Sequence, residues 1–224
     1  RPRLPSTKPL SWRSDSAPRI RLRLLTAYST ACIKKRLTYK VIRLRVDPHS
    51  IENIPCFIAL SAFTEEQLPL EGLPGRLDNL LEGEASRQIE QGHLNGTWGS
   101  QALLASRGRI APHYVLFAGL GPSRRITLSI LSSRMEQIVQ RVIRLSAREL
   151  GLSVFYSDNS NAKYENLASE AVNGALRGAA DCPYDVNITV CEPDPARYNE
   201  LVSVAEKSVF RRAEGRELSV EINV

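Results

Sequence analysis

Strand-like and helix-like segments alternate along most of this chain, and that alternation constrains its fold more than any other feature. Short apolar runs rich in β-branched residues predict strands, and segments with apolar residues three and four apart predict helices. The predicted strands are 39–46, 56–63, 101–105, 114–118, 152–156 and 186–191, and the predicted helices are 76–91, 127–150, 162–180 and 194–212. Such alternation is typical of an α/β layered fold with a largely parallel sheet.

The helix predicted for 127–150 has the clearest periodicity. Its apolar residues recur three and four apart, and Gly151 is predicted to end it in the left-handed conformation. The opposite face carries arginines at seven-residue intervals, with one more nearby: Arg134, Arg141, Arg148 and Arg144. Such a face is either a solvated helix surface or a basic stripe that binds anions, and the solvated surface is the simpler interpretation.

The positive charge of the chain is concentrated at one end. The 224 residues carry a net charge of +6, but residues 1–38 contain ten basic residues and one acidic residue, whereas 39–224 contain 20 basic and 23 acidic residues. The body is therefore mildly acidic, and its length allows one domain to bury about 70% of the surface of the unfolded chain. Net charge is thus poor evidence for a nucleic-acid partner.

The basic segment 1–37 allows three interpretations. It is rich in Arg, Ser and Pro and nearly free of acidic residues, as organellar transit peptides are. It could instead be a basic arm that contacts phosphate groups, or sequence upstream of a start at Leu37, which we favour because regular structure begins there. In each case we expect disorder. We divide the rest into an α/β domain at 38–213 and a C-terminal tail at 214–224, and expect a cytoplasmic protein, with an organellar location as the alternative.

Cysteine spacing, the length of the apolar runs and the positions of the histidines argue against a disulfide framework, a membrane span and a metal site. Its four cysteines contain no C-x-x-C pair, so we expect buried free thiols in a reducing compartment. No apolar run approaches the roughly 18 residues of a membrane span, so we expect a soluble protein without a membrane partner. His49, His93 and His113 are far apart and are predicted to be surface residues. We predict no metal site and no cofactor.

One loop could bind an anion. The predicted strand 114–118 runs into Gly119-Leu120-Gly121 shortly before a helix, and Arg124 and Arg125 add positive charge. Glycine lets the backbone turn sharply, and amides at a helix N-terminus can receive a phosphate group. The pattern G-x-G-x-x-G is incomplete, because Arg124 stands in place of the third glycine and Pro122 lacks a backbone donor. A structural turn is the simpler interpretation.

A longer pattern resembles a known family. After a predicted helix that contains Leu77 and Asp78, the chain reads Gly92-His93-Leu94-Asn95-Gly96-Thr97-Trp98-Gly99-Ser100, then Ala102-Leu103-Leu104, then Val115-Leu116-Phe117-Ala118-Gly119-Leu120-Gly121. This order resembles the N-terminal domain of leucyl aminopeptidases, in which a helix ends in a G-x-L-x-G-x-x-G turn and a later strand closes in G-x-G. The resemblance covers 39–210 and is most specific over 77–121. It implies a macro-domain-like, three-layer α/β/α fold with a mixed, largely parallel sheet.

The resemblance also implies that the hydrolytic site lies outside this domain. In leucyl aminopeptidases a separate C-terminal domain binds two metal ions and carries the signature N-T-D-A-E-G-R-L. Ala213-Glu214-Gly215-Arg216 repeats the middle of that signature, but Arg212 stands in place of its metal-binding Asp. A guanidinium group does not ligate a divalent cation. No catalytic or metal-binding residue is carried over, and we predict that the chain alone is not an enzyme.

Three functions remain. The first is a stand-alone, non-catalytic domain that associates with itself or with a catalytic aminopeptidase, because in the resembled family this domain flanks a hexamer. The second is a macro-like binder of a nucleotide such as ADP-ribose, with the loop of Gly119, Gly121, Arg124 and Arg125 as its candidate site. The third is nucleic-acid binding through the arginine face of helix 127–150. We favour the first.

Overall fold

A seven-stranded sheet forms the centre of the domain. The computed structural model describes residues 41–155, 162–210 and 218–222, with side chains up to residue 208. The strands are β1 (Ile42–Asp47), β2 (Ile58–Phe63), β3 (Gln101–Ala105), β4 (Tyr114–Gly119), β5 (Glu149–Ser153), β6 (Val186–Cys191) and β7 (Leu218–Ile222). Their order is β3-β4-β2-β5-β6-β1-β7, and only the β3–β4 pair is antiparallel. The mixed, largely parallel sheet is confirmed.

Helices cover both faces of this sheet. They are α1 (Gly72–Leu80), α2 (Glu84–Glu90), α3 (Leu128–Arg144), α4 (Tyr164–Ala179) and α5 (Pro195–Phe210), with 3-10 turns at Ile51–Asn53 and Ser123–Arg125. A large buried cluster lies between the sheet and α3, α4 and α5, and includes Leu131, Ile138 and Leu201. A smaller cluster, with Phe63 and Leu77, lies on the side of α1 and α2. The three-layer α/β/α architecture is therefore confirmed.

Glycine lets α3 and α4 pack closely. A Cβ atom at Gly174 would collide with the Ser132 carbonyl oxygen, and one at Gly178 would lie 2.6 Å from the Glu136 carbonyl oxygen. Arg177 reinforces the contact, because its Nε donates to Glu136 Oε2 at 2.7 Å. This packing explains the small residues of α4 and holds α3 in a fixed orientation with its other face outward.

The helix predicted for 76–91 is two helices. The chain turns at Glu82 and Gly83, which have φ values of 59° and 74°. The buried Asp78 carboxylate then accepts the Ala85 amide at 2.7 Å and the Ser86 amide at 3.2 Å, so it caps α2 from the preceding helix. A cap contributed from seven residues earlier does not follow the local pattern of a helix start.

The predicted end of the long helix was wrong. Helix α3 ends at Arg144, and Ser146 has the positive φ of 62° that was expected of Gly151. Gly151 lies in β5 instead, where a Cβ atom would come within 3.0 Å of Cys56 Sγ. Glycine is needed there for space rather than for a left-handed turn, and β5 begins three residues earlier than the predicted strand.

The predictions for the two ends of the chain have different outcomes. Residues 218–222, assigned to a C-terminal tail, form β7 and pair in parallel with β1. The segment 1–37 and the Ala213–Arg216 signature echo lie outside the described residues.

Cysteine burial agrees with the sequence analysis wherever it is described. Cys56, Cys182 and Cys191 are free and buried, so this prediction is confirmed for three of the four cysteines, and Cys32 lies outside the described residues. Burial raises the pKa of the Cys56 thiol to about 12 and also raises that of Cys191. None of the helices in the described part of the chain combines the length and apolar character that a bilayer crossing requires.

Candidate functional site

The Gly119–Gly121 loop uses its backbone donors inside the protein. The amide of Gly119 donates to the Ser100 carbonyl oxygen at 2.9 Å, that of Leu120 to Phe63 at 2.7 Å, and that of Gly121 to Gly96 at 2.8 Å. These bonds fix the loop to the end of β2 and to the turn before β3. Because all three amides have intramolecular acceptors, they are not available to a phosphate group in this conformation.

A carboxylate of the chain occupies the start of the following 3-10 turn. The Ser123 amide donates to both oxygens of Glu66, at 2.9 and 3.2 Å. This hydrogen bond lowers the pKa of Glu66. Arg124 and Arg125 are exposed on the same turn and have no carboxylate partner among the described residues. An external anion could reach these two guanidinium groups, but it would compete with Glu66 for the amide.

Gly96 and Gly119 allow neighbouring loops to approach each other closely. A Cβ atom at Gly119 would collide with the Thr97 carbonyl oxygen, and Gly96, with φ of 72°, has the Thr64 carbonyl oxygen 2.9 Å from its own Cβ position. Three loops therefore meet backbone to backbone, and larger residues at these positions would separate them. The consequence is a rigid turn from Gly96 to Gly99 that presents Trp98 toward α3.

Trp98 brings the two predicted sets of residues together. The guanidinium carbon of Arg134 lies 5.1 Å from the centre of the Trp98 ring, and that of Arg141 lies 5.8 Å from it. A Cβ atom at Gly121 would be 3.4 Å from Arg134 Nη1. The loop and the helix face thus share one surface. We call Trp98, Arg134 and Arg141 the Trp98 platform.

Arg134 is the most constrained residue of this platform. Its Nη1 is buried and has no hydrogen-bond partner within the described ranges. Desolvation by the surrounding protein lowers the pKa of Arg134. The face of an aromatic ring attracts a cation, and that attraction offsets part of the cost of the unmade hydrogen bond. The guanidinium group is therefore held in place by ring contact and packing rather than by a carboxylate.

The remaining arginines of the predicted face are arranged differently. Arg148 lies beyond the end of α3, with its guanidinium carbon 5.0 Å from the centre of the Tyr184 ring. The Tyr184 hydroxyl donates to the Ile143 carbonyl oxygen, which ties that ring to the last turn of α3. Arg144 is exposed and contacts neither ring. The structure thus brings Arg134 and Arg141 together, places Arg148 on a second ring and leaves Arg144 apart.

The role of Trp98 could not be recognised from sequence, although the residue is part of the motif quoted above. The one available signal was a large aromatic residue inside a polar, glycine-rich turn, where such residues seldom occur without a partner. The partners come from a helix that begins about 30 residues later. Seven-residue spacing identified the arginines, but not the ring that holds them.

A second polar cluster lies at the carboxyl ends of β1 and β6. The buried Asp47 carboxylate contacts Arg45 Nη2 at 3.2 Å and His49 Nδ1 at 2.8 Å. The Tyr164 hydroxyl donates to Glu192 Oε2 at 2.7 Å, and burial together with this carboxylate raises the pKa of Tyr164. Sequence reasoning missed this cluster, because its members are about 150 residues apart. Each carboxylate has an internal partner, as a structural role requires.

The described residues contain no group of three or more His, Cys, Asp or Glu side chains that could hold a metal ion. His49 is mostly exposed, and His93 and His113 are exposed in other loops.

An open depression on the face of β1 and β6 is lined by Arg43, Arg45, Asn187 and Thr189 among others, with about 530 Å³ of empty space that is partly open to solvent. Arg43 Nη1 donates to Asn187 Oδ1 there at 3.4 Å.

Comparison with known proteins gives a family and a fold. The profile of the cytosol aminopeptidase family, N-terminal domain, matches residues 56–180, more than half of the chain. No curated protein matches the chain in sequence.

Solved structures with the same fold include both an aminopeptidase and macrodomains. A mutant of tomato leucine aminopeptidase is 16% identical, with a TM-score of 0.58 over 76% of this chain and 37% of that one. A Trypanosoma brucei macrodomain in complex with ADP-ribose is 14% identical, with a TM-score of 0.58 over 73% and 68%. An Oceanobacillus iheyensis macrodomain with MES bound is 8% identical, with a TM-score of 0.59 over 75% and 93%. At these identities the likeness shows the fold alone, and the macro-domain-like prediction is confirmed.

Proposed function

Because the chain belongs to the cytosol aminopeptidase family through the N-terminal domain of that family, we propose that it acts by protein association rather than by hydrolysis. The family match confirms the resemblance seen in the motif around Trp98. The proposed partner is a second copy of the domain or a catalytic aminopeptidase. In either case the domain contributes a binding surface, and any chemistry takes place in another domain or protein.

The distribution of ionisable groups carries this proposal. Asp47 and Glu192 at the strand ends bind internal partners, whereas general acid or base catalysis needs such groups to reach a substrate. The exposed side of α3 instead presents Arg134 and Arg141, to which the described residues offer no carboxylate. The Arg134 and Arg141 guanidinium groups therefore lie on the outer surface of α3, where they suit contact with a macromolecule.

Native mass spectrometry tests this association directly. The purified chain should form an oligomer, or a complex when mixed with a full-length catalytic aminopeptidase. A strictly monomeric chain that binds no such enzyme would contradict the proposal. In parallel, the chain alone should release no amino acid from a peptide substrate with added Zn²⁺ or Mn²⁺, and metal-dependent release would show that it is an enzyme.

A nucleotide-binding function is the second candidate, favoured by the fold shared with a macrodomain in complex with ADP-ribose. The occupied amides at 119–121 and the Glu66–Ser123 bond weigh against the predicted loop as its site. A bound nucleotide would raise the melting temperature by mass action, with about 2.7 kcal/mol of stabilisation at 100 times the dissociation constant. If the loop is the site, Glu66→Ala should enlarge the shift, because it frees the Ser123 amide. Absence of a shift at millimolar ADP-ribose would exclude this candidate.

A further inference from the structure

We propose that the Trp98 platform, together with the Arg148–Tyr184 pair, is the docking surface for an acidic segment of a partner protein. This proposal rests on the association function above and specifies the chemistry of the partner. Carboxylate groups about 10 Å apart would bind the guanidinium groups that the aromatic rings hold in place. Charge pairing, preorganisation and spacing of these side chains all favour such a partner.

Charge pairing separates these arginines from six others in the described chain. Ring contact separates them from Arg124, Arg125 and Arg144, which also lack a carboxylate partner among the described residues but contact no described ring. Six arginines lie within ion-pair distance of a carboxylate: Arg43, Arg45, Arg76, Arg87, Arg109 and Arg177. Arg134, Arg141 and Arg148 have no such partner within the described ranges. Two guanidinium groups that share one indole also repel each other. An anionic partner would relieve that repulsion and supply the missing counter-charge.

Preorganisation lowers the cost of binding at this surface. Each of the three guanidinium groups already lies within 5.8 Å of a ring centre. Backbone hydrogen bonds between glycine-rich loops fix the turn that carries Trp98, and Tyr184 is bonded to the end of α3. Long side chains held in this way lose less conformational entropy when a ligand binds than free ones do. The planar guanidinium fork also matches the two oxygens of a carboxylate.

Spacing indicates what kind of segment fits. Arg134 and Arg141 are two helical turns apart, which corresponds to about 10.5 Å along α3 at about 1.5 Å per residue. A partner helix with Glu residues at positions i and i+7 presents carboxylates at the same interval. The guanidinium carbons of Arg134 and Arg141 lie 5.1 and 5.8 Å from one ring centre and are therefore at most 10.9 Å apart, a span that such a pair of carboxylates can match.

A protein partner fits these observations better than a nucleic acid. Proteins that bind single strands without sequence preference stack bases on aromatic rings. Here the Trp98 and Tyr184 rings already contact guanidinium groups, so a stacking base would compete with those groups for the rings. Residues 39–224 also have more acidic than basic residues, which opposes long-range attraction of a polyanion.

The test uses a labelled helical peptide with Glu at i and i+7, and a scrambled peptide of the same composition. The full chain carries Trp12→Phe, so that Trp98 is its single tryptophan and reports binding by its emission. We expect saturable binding that changes Trp98 emission, and weaker binding of the scrambled peptide. Absence of saturable binding at millimolar peptide would overturn the proposal.

Two triple variants with the same loss of charge locate the site. Arg134→Gln, Arg141→Gln and Arg148→Gln together should weaken binding by about tenfold or more, equivalent to about 1.4 kcal/mol. The control, Arg76→Gln, Arg87→Gln and Arg109→Gln, should change it less than about threefold, because those arginines pair with carboxylates of this chain. Equal weakening in both variants would overturn the proposal. The single variant Arg141→Gln, at an exposed position, serves if the triple variant does not fold, and unchanged binding by it would count against the site.

Two further measurements separate this proposal from its alternatives. A thymidine oligonucleotide that binds more tightly than the peptide, and loses affinity in the first triple variant, would overturn the choice of a protein partner. Native mass spectrometry of that variant with the aminopeptidase decides whether the site serves the proposed association. If the complex persists unchanged, the docking surface is overturned and the association function stands; if the wild-type chain forms no complex, the association function fails, whatever the peptide result.

Discussion

Arg87 and Arg109, on the side of α1 and α2, contact carboxylates, whereas Arg134 and Arg141 of α3 contact an aromatic ring. Arg87 lies 2.8 Å from Glu84, and Arg109 lies 2.6 Å from Glu82. Arg134 and Arg141 share the Trp98 ring. An ion pair neutralises the cation, but a neutral ring positions it and leaves its charge for another molecule. The two sides therefore use the same side chain for different purposes, one internal and one external.

The largest expected effect comes from breaking the glycine contact beneath the Trp98 platform. In Gly119→Ala, the new Cβ would collide with the Thr97 carbonyl oxygen and lie 2.6 Å from that of Gly96. We expect a loss of about 2–4 kcal/mol in the free energy of unfolding, with altered Trp98 emission. Urea unfolding at pH 7 measures the loss. Gly108→Ala is the control, because no atom lies within 4 Å of the Cβ position at Gly108. Its only expected cost is that alanine disfavours the positive φ of 77° there, which amounts to about 1 kcal/mol. Equal losses would contradict the packing argument.

The helices on the two sides of the sheet are capped differently, α2 by the distant Asp78 and α3 by its own N-cap residue. Removal of these caps should give the next largest loss of stability. Asp78→Ala removes a buried carboxylate that binds two amides of α2, and we expect a loss of about 2–3 kcal/mol. Thr127 caps α3 with its own hydroxyl, which accepts the Ile130 amide at 3.3 Å, and Thr127→Ala should cost about 1 kcal/mol. Chemical denaturation of both variants checks the order, and a larger loss for Thr127→Ala would reverse it.

Alkaline pH should lower the free energy of unfolding, because the buried Cys56 thiol stays protonated in the folded chain. Its folded pKa of about 12 lies above the value of about 8.5 for an exposed thiol, so the unfolded chain releases the proton first. The stabilising contribution is therefore complete below about pH 8.5 and falls by up to about 1.4 kcal/mol per pH unit as pH rises toward 12. Cys56→Ala should be less stable than wild type at pH 7, and the difference should narrow by pH 10. A constant difference across urea unfolding curves at pH 7, 9 and 10 would contradict this.

The smallest expected effect is the salt dependence of stability in two single arginine variants. Arg87→Gln removes an exposed ion pair, so it should lower the free energy of unfolding slightly at low ionic strength and almost not at all at high salt. Arg141→Gln also removes repulsion against Arg134, so its cost should be lowest at low salt and should rise as salt screens that repulsion. Thermal unfolding in 10 and 500 mM NaCl measures both. Salt dependence of the same sign in the two variants would remove the distinction between the two groups of arginines.

Features that depend on local periodicity could be predicted from sequence. The alternation of strands and helices and the outward arginines of α3 follow from spacing within single elements. The three-layer fold was implied by the family resemblance. The predicted cap at Gly151 failed because glycine is required for two different reasons. A positive φ and a close approach look the same in a sequence, and the residue that crowds Gly151 is Cys56, about 95 positions earlier.

The candidate site could be predicted only in part, because its decisive contacts are not local. Gly119 and Gly121 suggested a phosphate loop, since nothing in the sequence shows that Ser100, Phe63 and Gly96 accept the amides of residues 119–121. Likewise, Arg134 and Arg141 were visible as a stripe, but the shared ring of Trp98 depends on how two loops pack at the end of the sheet.

The position of β1 between β6 and β7 has a consequence for the order in which the protein folds. Its neighbour β6 follows about 144 residues later, as the pairing of Ile42 with Val186 shows. At about 5–20 residues per second, the ribosome needs roughly 7 to 29 seconds to supply that neighbour. During this time β1 is an exposed strand with unpaired backbone groups, which favours pairing with other chains. Arg43 and Arg45, which alternate with its buried residues, place two positive charges on that strand and so protect the nascent chain from aggregation until β6 is made.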